Sequence, residues 1–328
     1  MTTSIPLQSS ALSRDLTLPS PAGVGASPPT TPRLVYGTAW KMERTADLVH
    51  EALGAGFRGI DTAAQPRHYR EDLVGQGLRR AVADGIVARS QVFLQTKFSP
   101  VGAQDRDNMP YDARAPLQEQ VRVSIESSLR NLGVPSSSSS SSEGADEESY
   151  LDSVVLHSPL PSMEETVVVW KALSKWVPSR VRALGISNAP VEIVEYLLEA
   201  PDIKVKPSVV QNRFHERTGW EMDLRALCRH HGVIFQSFWT LSGNPQLRYR
   251  EPTVQTIARS AGVEAEVALY ALVLGLEGTT ILDGTTSGEH MRADLDGIEK
   301  VGRWADSEGK ETWDKALMDF KAVIGERT

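Results

Sequence analysis

One cysteine in 328 residues, Cys228, leaves no internal disulfide and no cysteine-rich zinc site, which fits a reducing compartment. Basic residues are in deficit: 35 Lys and Arg stand against 42 Asp and Glu, for a formal charge of −7 and a pI near 5.6. Binding a nucleic-acid backbone needs a clustered excess of Lys and Arg, so nucleic acid is not expected as a partner. Long apolar runs are missing too. The longest, Val267 to Leu276, is about half of the roughly 20 residues that a membrane-spanning helix requires. What remains is a globular composition, 40% hydrophobic and 23% charged, long enough to close a full-sized core. These features lead us to expect a soluble, cytoplasmic protein.

At roughly 150 residues per domain the length allows two domains, although a single barrel domain also runs to 250 residues or more. Residues 1 to 32 are rich in Ser, Thr and Pro with almost no periodic hydrophobicity, which predicts a disordered tail. The tail has no apolar segment of the secretory type; a transit peptide, suggested by Arg14 among serines, is the alternative. A second low-complexity stretch at 135–149 carries seven consecutive serines followed by acids and reads as an inserted surface loop. Phosphorylation of those serines is a second reading of it.

Between these segments short β-branched apolar runs alternate with helical patterns. Strands are expected at Leu34–Gly37, Gly59–Asp61, Val92–Lys97, Ser153–His157, Ala183–Ile186, Val209–Gln211, Val233–Phe238 and Thr280–Leu282. Helices are expected at Thr45–Ala55, Leu73–Ala83, Leu117–Leu132, Glu164–Trp176, Val191–Glu199, Trp220–His231 and Val263–Leu276. Two more follow the last strand, near Gly288–Val301 and Glu311–Ile324. Eight strands alternating with helices predict an α/β fold, a single (β/α)8 TIM barrel over 33–328 with extra C-terminal helices; a doubly wound open sheet is the alternative.

Gly54-Ala55-Gly56-Phe57-Arg58-Gly59 satisfies the G-x-G-x-x-G pattern literally, but the dinucleotide fingerprint needs a strand before it and a helix within it. Here a helix precedes and a strand follows, so these glycines only turn the chain. Polar residues at strand ends are more informative. Asp61, Lys97, His157, Ser187, Asn188 and Gln211 close successive strands, and in a barrel those ends open on one face. An Asp61–Lys97 ion pair in a cleft, beside a tyrosine hydroxyl, would favour the phenolate and lower that tyrosine from its usual value near 10. Such a tyrosine can act as a proton donor, and a neutral His157 has one N–H to offer a carbonyl oxygen. The histidine clusters His230-His231 and His215-Glu216 do not have metal-site spacing, so no metal is expected.

These residues resemble the aldo-keto reductases, over about Leu34 to Leu295. The segments that carry the resemblance are Gly37-Thr38-Ala39, Gly56 to Ala63, Gln95-Thr96-Lys97, Leu156-His157-Ser158-Pro159, Leu184 to Asn188 and Pro207 to Asn212. The resemblance implies an NADP(H)-dependent reductase of aldehydes and ketones, with NAD(H) as the alternative cofactor. It makes Tyr69 the general acid, tuned by Asp61 and Lys97, with His157 orienting the carbonyl. Ser187, Asn188 and Gln211 would hold the nicotinamide carboxamide, Phe238 would stack on the ring, Trp239 and Leu241 would lie along the pyrophosphate, and Gly37, Thr38, Thr285 and His290 would also contact the cofactor.

Two positions depart from the family pattern. The tyrosine commonly follows the aspartate by five residues, whereas here Tyr69 follows Asp61 by 69 − 61 = 8, with His68 as its local rival. After the last strand the family presents a Lys and an Arg toward the 2′-phosphate, where this chain has Gly284 and His290; Arg292 and a helix start near Gly288 are the expected compensation. Trp40, Phe98, Met109, Tyr111 and Trp239 are candidate walls of a pocket for bulky or aromatic carbonyl compounds, or else packing between loops. The alternative function is a non-catalytic cofactor-binding barrel serving as a regulatory or redox-sensing subunit. With no heptad pattern, a monomer is expected.

Overall fold

The computed structural model describes residues 10–19, 29–134 and 149–326. A two-residue hairpin pairs β1 (Leu16–Thr17) with β2 (Thr30–Thr31) antiparallel. Eight parallel strands then close a barrel: β3 (Leu34–Gly37), β4 (Gly59–Asp61), β5 (Phe93–Phe98), β6 (Leu151–Leu156), β7 (Val181–Ser187), β8 (Val209–Arg213), β9 (Ile234–Phe238) and β10 (Thr279–Asp283). They neighbour one another in chain order, and β10 returns to β3 with Ile281 opposite Leu34. The open-sheet alternative is thereby excluded. Each strand falls within two residues of its expected position. The low-complexity stretch lies outside the described residues except for Ser149.

The barrel is ringed by α1 (Thr45–Ala55), α2 (Glu71–Ala83), α3 (Leu117–Leu132), α4 (Met163–Ser174), α5 (Val191–Glu199) and α6 (Met222–His231). The ring and its C-terminal extension are completed by α7 (Pro245–Arg250), α8 (Pro252–Ala261), α9 (Ala265–Leu274), α10 (Gly288–Ala305) and α11 (Lys310–Val323). The chain leaves α1 through Gly56 at φ 121°, a conformation that only glycine adopts without strain. The run Val267–Leu274, apolar all round in sequence, is buried all round because α9 packs against α8, α10 and β10. The sequence reading missed α7 and α8. Each has proline at its first helical position, where the absent N–H costs nothing, and the Glu251 side chain accepts from the Thr253 N–H at the start of α8.

The expected disordered tail is corrected for residues 10–19 and 29–32, which carry the paired strands β1 and β2. Leu18 is fully buried against Phe93, Ala183, Val209 and Ile234 at the strand-start end of the barrel, with Leu16 beside them. The Leu18 N–H donates to the Pro29 carbonyl at 2.8 Å, and Ser208 Oγ donates to the Pro19 carbonyl at 2.9 Å. Two leucines among serines and prolines show no period, yet one leucine is enough to cover the floor of a barrel. Residues 1–9 and 20–28 of that reading lie outside the described residues.

Candidate active site

The strand ends opposite Leu18 carry a buried polar cluster. Asp61, last residue of β4, receives Lys97 Nζ at 2.5 Å, and Lys97 also donates to the Thr62 carbonyl at 2.8 Å. Both side chains are almost fully buried, at 1% and 3% exposed. The second carboxylate oxygen accepts from Gln95 Nε2 at 2.8 Å and Gln211 Nε2 at 3.1 Å, and Gln236 Oε1 accepts from both of those amides. Burial pushes the Lys97 ammonium down and Asp61 pushes it back up. A paired, hydrogen-bonded charge is the form in which a buried lysine survives. Gln95, named above only within a segment of the resemblance, and Gln236 were not among the expected site residues; the signal for them was a polar side chain inside an otherwise apolar strand.

Tyr69 stands over this pair. Lys97 Nζ lies 5.1 Å from its ring centroid, and the His157 ring packs edge-on at 5.9 Å and 71°. The additional residues before Tyr69 do not displace it, because they are wound into a turn: the N–H groups of His68 and Tyr69 both donate to the Gln65 carbonyl at 3.0 Å. A helical turn advances about 1.5 Å per residue, so a longer loop ends at the same place. His68 instead stacks on Trp40, with centroids 3.9 Å apart. One expectation is reversed. Burial first, and then Asp61, push the Tyr69 hydroxyl well above the usual phenol range, while Lys97 is held by Asp61 rather than by the phenol.

His157 is pushed down to about 3 by burial, by Lys97 and by His68, so its imidazole is neutral across the physiological range. Its Nδ1 is engaged by Ser99 Oγ at 2.6 Å; with the serine donating, Nε2 carries the proton and becomes a donor. Asn188, in the left-handed conformation at φ 51°, turns the chain after β7 and donates to the His157 carbonyl at 2.9 Å. Ser187 Oγ donates to the Gln211 carbonyl at 2.7 Å.

A cavity of about 1080 Å³ runs from Tyr69 and His157 to the loop after β10. Gly37, Asp61, Ser187, Asn188, Gln211, Phe238, Trp239, Leu241, Thr285 and His290 all line it, and Lys97 sits beneath. Thr38 does not: it is fully buried, with its hydroxyl donating to the Asp61 carbonyl at 2.9 Å. Of the candidate pocket walls, Trp40 and Trp239 line the cavity. Phe98 and Tyr111 stack on each other at 5.6 Å inside the core, Met109 packs against that core, and the Tyr111 hydroxyl donates to the Ser99 carbonyl at 2.6 Å. Arg292 is exposed and off the lining. Arg213, unforeseen, holds its guanidinium 4.8 Å from the Trp239 ring and 5.5 Å from that of Phe238. At the far end burial and Asp283 push the Asp294 carboxyl up to about 8, and burial pushes Asp283 up as well. Among the described residues no cluster of His, Cys, Asp and Glu could hold a metal ion.

A family model described as the Aldo/keto reductase family matches residues 33–258. The chain belongs to the aldo/keto reductase family. It is similar to prostaglandin F synthase 2 of Bos taurus, at 25% identity over 299 residues covering 78% of this chain and 83% of the relative. It is similar also to an aldo-keto reductase of Mycobacterium sp. (strain KMS), at 28% identity over 77% of this chain and 78% of the relative. In fold it resembles Bombyx mori aldo-keto reductase in complex with NADP, with TM-score 0.66 and 19% identity over 89% of this chain and 92% of that one. An aldo/keto reductase from Brucella melitensis gives TM-score 0.63 and 22% identity over 88% and 99%. Membership makes the protein an oxidoreductase of carbonyl compounds.

Proposed function

We propose that the protein reduces aldehydes and ketones to alcohols with NADP(H), and that Tyr69 donates the proton. The observation that carries this reading is the joint placement of Tyr69, the Lys97–Asp61 pair and a neutral His157 at one end of the long cavity. The cavity also fits a dinucleotide by the chemistry of its donor set: Ser187, Asn188 and Gln211 offer hydroxyl and amide groups for a carboxamide, and Phe238 beside them offers an aromatic face. Trp239 and Leu241 continue the wall toward Thr285 and His290. When bound, the reduced nicotinamide supplies the hydride.

The chain's own groups do the rest. The raised Tyr69 hydroxyl keeps its proton at neutral pH and releases it to the strongly basic oxygen that forms as the carbonyl is reduced. The Lys97 ammonium below the ring then faces the phenolate left behind, which opposite charge stabilises. His157 donates from Nε2 to the same carbonyl oxygen and orients it, with Ser99 holding the ring. The lone Cys228 is buried and unpaired, and no described helix is long and apolar enough to cross a membrane.

Tyr69→Phe tests the assignment. It should lower turnover of an activated aromatic aldehyde about 10²- to 10⁴-fold, the usual worth of a positioned general acid, while NADPH binding stays within about twofold. Turnover that survives the change removes Tyr69 from the mechanism. Wild-type protein that binds the cofactor and turns over no carbonyl compound would point instead to the regulatory barrel.

A further inference from the structure

We infer that Lys41, backed by Arg44, recognises the phosphate on the adenosine ribose of NADP(H), replacing cations that positions 284 and 290 do not supply. The inference rests on the cofactor reading above and adds to it the residues that set cofactor choice.

Three donors from β3 and the turn after it fasten onto three consecutive carbonyls of the loop after β10. Lys41 Nζ donates to the Gly284 carbonyl, the Tyr36 hydroxyl to that of Thr285 at 3.0 Å, and Arg44 Nη2 to that of Thr286 at 3.4 Å. The ammonium lies beside the place where a side chain at 284 would begin: a Cβ built on Gly284 would stand 4.0 Å from Lys41 Nζ, an ordinary contact distance. A lysine from the turn after β3 thus brings a cation beside the position where the glycine carries none.

The charges around it make the site specific. Three permanent cations line the cavity: Lys41, Arg213 and Arg248. Arg248 is ion-paired with Glu266, and Arg213 lies over Phe238 and Trp239 near the catalytic end. Lys41 sits at the opposite end and makes no ion pair among the described residues, so its single carbonyl partner leaves two N–H donors for a ligand. Burial pushes the Lys41 ammonium down, Asp283 pushes it back up, and Arg44 adds a smaller downward push. Asp283, Glu289 and Asp294 share that end of the lining, yet Lys41 makes no ion pair with any of them; a dianion would give its ammonium a charged partner, and a ribose phosphate is the dianion that distinguishes NADP(H) from NAD(H).

The experiment titrates the cofactor-free protein with NADP+ and, separately, NAD+, following tryptophan fluorescence, with Trp40 and Trp239 in the cavity wall as reporters. Lys41→Met should raise the Kd for NADP+ about 10- to 100-fold and leave that for NAD+ within about threefold, the range for losing a charge-assisted hydrogen bond. Arg44→Met should shift it in the same direction by less. Adding Gly284→Lys to Lys41→Met should restore NADP+ affinity, which a folding defect would not allow. Equal loss for both dinucleotides would overturn the inference in favour of contact with the shared diphosphate, and no loss for either would reduce Lys41 to a loop fastener. Wild-type protein that binds neither dinucleotide would overturn the cofactor reading itself; the other outcomes leave it standing.

Discussion

Replacing Asp61 by Asn removes one half of a buried ion pair and leaves the other. Asp61 and Lys97 are 3% and 1% exposed, and the two groups are 2.5 Å apart. An asparagine keeps the shape but not the charge, so the Lys97 ammonium stays buried beside Thr62 and Tyr69 without its ion-pair partner. Breaking such a pair from one side costs about 3–5 kcal/mol. With an unfolding entropy of about 0.7 kcal/mol/K for 328 residues, Tm should fall by about 4–7 °C. Burial pushes the Lys97 ammonium down, and without the attraction and hydrogen bond of Asp61 only Glu71 still pushes it up. The double variant Asp61→Asn/Lys97→Met removes both charges and should melt higher than Asp61→Asn alone. Calorimetry of the wild type, both single variants and the double at neutral pH measures this. An unchanged Tm in Asp61→Asn, or a double variant whose loss is the sum of the two single losses, would refute the view that an uncompensated charge sets the cost.

Glu71 at the start of α2 is fully enclosed, accepts from Ser128 Oγ at 2.9 Å and from the Thr96 hydroxyl, and is pushed up to about 7 by burial. A folded-state value above the ordinary 4.5 means that the unfolded chain gives up the proton first. Stability should therefore fall by about 3 kcal/mol as pH rises from about 4.5 to about 7, then level off. Glu71→Gln, which cannot ionise, should flatten that slope; parallel plots of Tm against pH for variant and wild type would contradict it. Leu18→Ala opens the barrel floor and should cost about 2–5 kcal/mol by denaturant midpoint, whereas a change below about 0.5 kcal/mol would mean that the hairpin does not pack there.

The strand ends were legible because a (β/α)8 chain repeats one local pattern and delivers the last residue of every strand to the same face. Asp61, Lys97, His157, Ser187, Asn188 and Gln211 follow from that rule alone. The order of short β-branched runs and longer amphipathic segments likewise follows from side-chain periods of about 2 and 3.6 residues. Tyr69 was legible as a residue but not as a position, since its place depends on how Gln65 to Tyr69 winds, and that is set by backbone bonds to one carbonyl.

Other features depend on contacts that no local pattern encodes. Thr38 turned inward, and Phe98 and Tyr111 found each other in the core rather than the cavity. Leu18 found the barrel floor although its neighbours are serines and prolines. Lys41 reached Gly284, 243 residues further along the chain, because closure sets β10 beside β3. The sequence by itself determined the alternation, the family and which polar residues stand at the strand ends, because these arise within one or two elements. The tertiary structure alone decided which charges lie next to which, because closing the barrel brings together residues that periodicity cannot relate.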